Sequence, residues 1–502
     1  MVELNHYQET ELGGAFASQS EVSELIKAMQ AGNITGRDTN DLALTQEPLK
    51  VESLEKTLRL LDFKMEQVKL YYDIPKLDAM NTVEEYIQLE SYGFDRGGFY
   101  AEGETPDLED SVYRRRAELV KYIQIMGSVT LQAQKVRSYV DAMAQEVKNK
   151  TMWVVRKTAN SLTKADSNMN SLEFNSLFAQ HARIGASSGD LYPTLDAWQD
   201  SPAVIDLRGA SIRQQDFEDG SQNIYAAFGT VDTFYAPPTV LAGFAKDYYE
   251  RQRILLGSSG YRGVAGSNPK AVDTTFGEVA LKQDLFMKTP GFRLATDSAT
   301  SGKAPATPVS VSAALTGTDG KSRFAAGEAH TGALGTVFYG VSAANQYGES
   351  PVRILGGDTN KVTLTAGQSV DLSWTAGAGT FTPSHYVVYR SKISTVTNAA
   401  TSQVEFYPIF KVSAAQLTQG YDGAAAGVVR DRNRFLPDTE NAFIEAMQEE
   451  VNYFKQLGPI SRLDFGITGP ANNFMVYQWG TPVLVAQKKM VRYINIGPFV
   501  AA

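Results

Sequence analysis

The sequence predicts an α+β protein with an all-β module set into it. Amphipathic helical stripes and alternating strands share the first three hundred residues. At about residue 300 the composition turns to Gly, Ala, Ser, Thr and Val, and at about residue 437 the earlier mixture returns. A change of composition at both borders marks an insertion, and helices mixed with strands on either side mark an α+β host.

A chain of 502 residues exceeds one ordinary core and implies roughly two to four domains. Its 43% hydrophobic and 21% charged residues are those of a globular protein. The 47 basic against 56 acidic residues give a net charge of −9, which argues against a dedicated nucleic-acid binder. Zero cysteines exclude disulfides, thiolate metal sites and a Cys nucleophile, and are compatible with a reducing compartment. The opening "MVELNHYQETELGGAFASQS" lacks the basic and apolar regions of a secretory signal. No run approaches the roughly 18 apolar residues of a membrane span, so a soluble protein with no membrane partner is expected.

Residues 1–90 are polar with helical spacing. In "SEVSELIKAMQAGN", Ser20 is a candidate N-cap, Val22, Leu25, Ile26 and Met29 form an apolar stripe, and Gly32 is a stop. "VESLEKTLRLLDFKMEQVKL" repeats the pattern, giving either an arm that lies on another surface or an ordinary helical subdomain. The next stretch, 91–130, is charge-segregated. Glu102, Glu104, Asp107, Glu109 and Asp110 lead into Arg114, Arg115 and Arg116, and a β-rich run follows. A long two-stranded hairpin is marginal alone in water, so this one is either a solvated ribbon or an arm that folds onto a neighbour. Opposite charges in adjoining segments would set the register and choice of that neighbour.

No Gly or Pro interrupts 131–166, and Val136, Val140, Met143 and Val147 recur at helical spacing. A single helix there would be about 50 Å long, a spine for other elements. In 167–303, "SNMNSLEFNSLFAQHARIG" and "TVLAGFAKDYYERQRILLG" read as helices, and "NIYAAFGTVDTFYAPP" as a strand stopped by Pro237 and Pro238. "GSSGYRGVAGSNPK" reads as a loop. Residues 304–436 show short strands between turns. Val370, Leu372 and Trp374 alternate with Asp371 and Ser373, the mark of a half-buried strand in a β-sandwich. The tail, 437–502, reads as helix from "FLPDTENAFIEAMQEEVNYFKQL" and then as strands.

Chemistry is sparse. His6, His181, His330 and His385 are scattered, without an i, i+4 pair, so no metal motif is present. Gly320, Lys321 and Ser322 resemble the end of a phosphate-binding loop, but Leu315 stands where its first glycine belongs. Glycines 257, 260, 263 and 266 miss the dinucleotide spacing, and no GxSxG elbow occurs. The reading is no catalytic residue, no cofactor and no enzyme.

The order of these elements resembles the major capsid proteins of tailed double-stranded-DNA bacteriophages. The stretches that carry the resemblance are "GFYAEGETPDLEDSVYRRRAELVKYIQIMGSVT" with the helix after it, "YAAFGTVDTFYAPPTVLAGFAKDYYERQRILL", and the "FLPDTENAFI" to "VRYINIG" tail. The resemblance implies the tailed-phage capsid fold. It makes 1–90 an N-terminal arm, 91–130 an extended loop, and 131–166 the spine helix of a peripheral domain. Residues 167–303 and 437–502 become the axial domain and remaining peripheral strands. It also implies hexamers and pentamers of the same chain, scaffolding, portal and decoration proteins, and packaged DNA held without sequence-specific contacts. The virion would be its location, and the host cytoplasm its place of assembly. Separately, "YGVSAANQYGES" and "LSWTAGAGTFTPSHYVVYRS" in 304–436 resemble an immunoglobulin or fibronectin type III module, in an order reversed from the standard domain. Such an insert is either a passive element or a weak glycan binder. The rival readings are a surface adhesin carried by the β-sandwich, which predicts tandem modules or a secretion signal, and a glycan hydrolase, which requires a carboxylate pair about 5–10 Å apart.

Overall fold

The computed structural model describes residues 67–498 except 94–98, 106–107, 109, 136–140, 185–194, 250–268, 326–334, 356–360, 393–403 and 467–468. All of these elements belong to one compact unit that begins at Phe63. The helical stripes expected before residue 63, and the glycine-rich loop at 257–266, lie outside the described residues.

The charged hairpin is real but shifted. Its strands are Val83–Ser91 and Val112–Leu119, antiparallel, with Val83 opposite Leu119 and Gln88 opposite Arg114. The expected extent of 91–130 is therefore corrected. Val120 is buried and closes the ribbon through its N–H to Thr82 O (2.9 Å). The chain then turns into a second strand, Lys121–Thr130, which pairs over its whole length with Ala471–Gly480. Alternation explains the switch: Ile123, Ile125 and Val129 point to one face, where they meet Phe474, Val476 and a helix.

That helix is the spine, and it is shorter than the expected 131–166. It spans Ala142–Lys164, about 35 Å, with a separate turn at Leu131–Lys135. Asp141 supplies the reason. Its carboxylate accepts from Met143 N (2.9 Å) and Ala144 N (3.4 Å), so residue 141 is an N-cap and not helix interior. Val154 faces the long-strand sheet, while Val155, Ala159 and Leu162 enter a larger core with Tyr235, Phe443, Phe454 and Leu484.

Two sheets meet at this helix. In the first, Lys76–Asp78, Asn452–Gln456 and Ala471–Leu484 run in order, and both Lys121–Thr130 and Ser461–Asp464 flank the last of them. The second has six strands in the order 204–206, 491–496, 440–445, 233–236, 277–283, 271–274. Helices Gln214–Ala226 and Pro238–Tyr249 cover one of its faces through Phe217, Ile224 and Phe244. Pro238 opens its helix at the position where a missing N–H costs nothing. A buried hydrogen-bonded group (Tyr71, Thr158 and Gln478) ties the spine to the long strand.

Three further expectations change. "SNMNSLEFNSLFAQHARIG" is helical only at Leu177–His181, where Ser176 caps the turn. "NIYAAFGTVDTFYAPP" starts as the end of a helix, and its strand is only Thr233–Ala236. The tail from Glu440 is strand, Glu440–Glu445 then Asn452–Gln456, and not helix. Phe443, Met447, Val451 and Phe454 mimic helical spacing, but Ala442, Phe443 and Ile444 are all buried, as in a central strand covered on both faces.

In the β-rich segment, Val309–Thr318, Gln368–Thr375 and Val428–Asp431 form one sheet. Arg353–Ile354, Tyr339–Ala344, His385–Arg390 and Tyr407–Ser413 form another. Val370, Leu372 and Trp374 are buried between them while Asp371 and Ser373 are not, as alternation requires. Val309 lies opposite Thr375 and Asp431 opposite Val370. The first and last strands thus begin and end about 20 Å apart, so excising the segment needs a linker of about six residues or more.

Gly127 sits where the edge strand crosses the buried Phe474 ring, and a Cβ there would overlap that ring. Gly127→Ala is expected to cost about 1–3 kcal/mol, read by urea unfolding, because the ring has no room to shift. Gly317→Ala, with nothing near its Cβ position, is the control.

Candidate subunit interface

Strand alternation gives the hairpin two faces of different character. On the inner face Tyr86 is buried against Tyr453 and Val483. Glu84 pairs with Lys455 (3.3 Å), and Gln88 donates to Val485 O. Glu118 is 2% exposed and accepts from Asn175 Nδ2 (2.7 Å) and Arg183 Nη1 (2.5 Å). These bonds hold the ribbon's base to the body.

The outer face carries Val83, Glu85, Ile87 and Leu89 beside Tyr113, Arg115, Ala117 and Leu119. Its apolar members are bare: Ile87 is 68% and Tyr113 66% exposed. Near the tip, Tyr92, Phe99 and Leu108 are exposed almost completely. A row of this kind marks a surface suited to being covered.

The three arginines do not act together. Arg115 lies on the outer face and pairs with Glu85 of the same ribbon. Arg114 and Arg116 lie on the inner face, where Arg116 Nε donates to Gln88 Oε1 (2.8 Å). At the tip Glu104 closes its own turn, accepting from Ala101 N (3.0 Å), and Glu102 and Asp110 are exposed. Asp107 and Glu109 lie outside the described residues. Period-two geometry forces this division, since three consecutive side chains cannot share a strand face. The residues that sequence reasoning missed are the apolar ones, and the alternation of "VEEYIQL" was the signal for them.

A second apolar face, partly exposed, lies on the long-strand sheet, opposite the spine helix. Tyr122 and Met126 line up with Trp479, Tyr477 and Met475, and Leu463 continues the row. Tyr122 meets Trp479 edge-on at 5.5 Å, and Met126 is 60% exposed.

No protein-family model matches the chain. It is 23% identical over 484 residues to a provisionally named major capsid protein of Enterococcus phage phiEF24C, covering 94% of each chain. It is 22% identical over 480 residues to the major capsid protein of Staphylococcus phage S25-3, covering 94% of this chain and 95% of that one. Over nearly its whole length the chain is similar to phage major capsid proteins. Similar solved structures include the capsid of the native GTA particle, at 6% identity and TM-score 0.42, covering 89% of this chain and 95% of that chain. Another is the capsid of cyanophage P-SCSP1u, at 8% identity and TM-score 0.39, covering 96% and 99%.

The remaining chemistry-bearing residues are structural in their surroundings. His181 is buried between Trp198 Nε1 (3.1 Å) and Met490 O (3.0 Å), and burial pushes its imidazole down to about 3. Lys321 N donates to Asp319 Oδ1 (3.0 Å) in a turn of the β-rich segment. Among the described residues no group of His, Asp or Glu is placed to hold a metal ion, and no helix is long and apolar enough to cross a membrane. His6 and His330 lie outside the described residues.

Proposed function

We propose that the chain is the subunit of an icosahedral phage head enclosing packaged double-stranded DNA, and that its hairpin packs on a neighbouring copy. The observation that carries this reading is the bare outer face of the hairpin, anchored at its base yet uncovered along Ile87, Leu89 and Tyr113. A second copy supplies the matching surface in its own Tyr122, Met126 and Leu463 row. Arg115 is the arginine placed to reach across, by exchanging Glu85 for an acid of the neighbour. The net charge of −9 suits a shell that does not grip its genome. The role is structural and not enzymatic. Scaffolding, portal and decoration proteins are its further partners, and assembly belongs to the host cytoplasm. The β-rich segment 304–436 is a separate module on this subunit.

The test is Ile87→Asp with Tyr113→Asp. Both side chains are solvent-facing, so the isolated subunit is expected to melt within about 0.5 kcal/mol of wild type. Shells should be absent by electron microscopy and sedimentation, because even about 1 kcal/mol per contact is multiplied around a closed shell. Normal shells from the double variant would remove the hairpin from the interface.

A further inference from the structure

The β-rich segment and the C-terminal half of the spine helix enclose a cleft of ≈ 400 Å³. That lies within the usual range for a small-molecule site, about 300–1,000 Å³. Lys157 and Lys164 of the helix and Lys411 of the strand Tyr407–Ser413 line it. The three carboxylates in the cleft are already engaged. Asp166 accepts from Asn168 N (2.9 Å), and Glu173 pairs with Lys157 (3.5 Å). Glu349 is held by Arg293 (3.0 Å) and the Tyr389 hydroxyl (2.5 Å).

Two cations make no ion pair, though Glu440 and Asp284 act on Lys164, and Asp166 on Lys411, through space. Lys164 Nζ donates only to the neutral Asn160 amide (3.2 Å), and neither it nor Lys411 forms an ion pair with a described residue. Burial pushes the Lys164 amine down to about 8 against the pull of Glu440, and the like charge of Lys411 lowers it further. The two amines therefore repel each other in a partly desolvated place, where an anion between them would relieve both.

The opposite wall is preformed. Thr300 Oγ1 accepts from Glu349 N (2.7 Å), and the Asn345 side chain accepts from Tyr347 N (2.9 Å) and Gly348 N (3.0 Å). This loop presents the Tyr347 ring, 54% exposed, with Lys303 Nζ at 5.5 Å from its centroid. A flat polarizable surface in the same cleft as two amines without ion pairs suits a phosphate ester of a ring compound.

We propose that this cleft binds a small phosphorylated ligand, its phosphate between Lys164 and Lys411 and its ring against Tyr347. The cleft's size selects a small molecule over a nucleic-acid duplex.

Isothermal titration calorimetry of the full chain with inorganic phosphate and with phenyl phosphate tests it. Both should bind saturably, phenyl phosphate more tightly. Lys164→Met and Lys411→Met should each weaken both probes about tenfold, the loss of one charge-assisted hydrogen bond. Tyr347→Ala should abolish the difference between the probes and leave inorganic phosphate unchanged. Lys148→Met, on an exposed part of the same helix, should change nothing. Lys411 is exposed on its strand, so its variant reports even if Lys164→Met fails to fold. No saturable binding, or full binding by Lys411→Met, would overturn the proposal. Displacement of phenyl phosphate by a short DNA duplex would overturn it in favour of a nucleic-acid groove.

Discussion

Replacing Asp431 with alanine is expected to destabilise the β-rich segment by about 3–5 kcal/mol, the cost of leaving a buried guanidinium without its counter-ion. Arg390 is fully buried and pairs with Asp431 Oδ2 at 2.7 Å. The same oxygen accepts from the Tyr339 hydroxyl (2.8 Å), and Oδ1 accepts from Asn433 N (2.8 Å). Arg390 Nη2 also reaches Asn433 Oδ1 (2.7 Å) and Phe435 O (3.2 Å). One carboxylate thus neutralises a cation and ties the two sheets to the chain that leaves them. Removing both charges is a different experiment. Arg390→Met with Asp431→Leu should recover part of the loss, because apolar groups often match a buried ion pair, while the Tyr339 hydroxyl and the Asn433 N–H still lose their acceptor. Hydrogen-exchange mass spectrometry of peptides over 385–390 and 428–431 reads both outcomes in place. Wild-type protection in Asp431→Ala would show that the pair contributes little.

The neighbouring charges show why this part of the molecule escaped the sequence. Arg432 and Arg434 share Asp422 at 2.8 and 2.9 Å, and Arg323 reaches Asp200 (3.1 Å) and Asp206 (3.0 Å) across the seam with the rest of the chain. Charge alone does not reveal a distant partner: Arg434 also meets Asp196, 238 residues away in the sequence. The same limit hid the pairing of 121–130 with 471–480, which gave the hairpin its wrong end. Local signals fared better. Alternation at Val370, Leu372 and Trp374 identified a strand because each apolar side chain answers to one sheet face. Spacing misled where both faces are covered, as at Ala442, Phe443 and Ile444, because burial on all sides leaves no period to read. On the hairpin the opposed charges are the louder signal, yet the ribbon uses Glu85 and Glu118 internally. Its free surface is apolar, and a short apolar alternation is a weak signal beside three arginines.

Glu445→Gln should stabilise the protein, and the gain should grow with pH. Glu445 is completely buried on the strand Glu440–Glu445, and burial holds its carboxyl up at about 8, with Asp232 nearby adding to the rise. Asn452 Nδ2 donates to Glu445 Oε1 at 2.6 Å, while Glu445 Oε2 and Asn452 Oδ1 both lack a partner as an ionised acid would leave them. One proton on Oε2 gives the pair a donor to match its free acceptor, so the neutral acid is the form the fold accommodates. The unfolded chain ionises this group near pH 4.3, roughly. Between about pH 4 and pH 8 the folded state therefore keeps a proton that the unfolded state has released, and stability falls as pH rises through that window. Glutamine keeps the shape and supplies an N–H in place of the acid O–H, with no proton to lose. The variant should match wild type at about pH 4 and exceed it by roughly 4–5 kcal/mol at about pH 8, with the difference constant above that. Urea unfolding of both proteins across this range decides the matter. A difference that does not change with pH would mean that Glu445 is ionised in the folded protein, its charge held by groups other than Asn452.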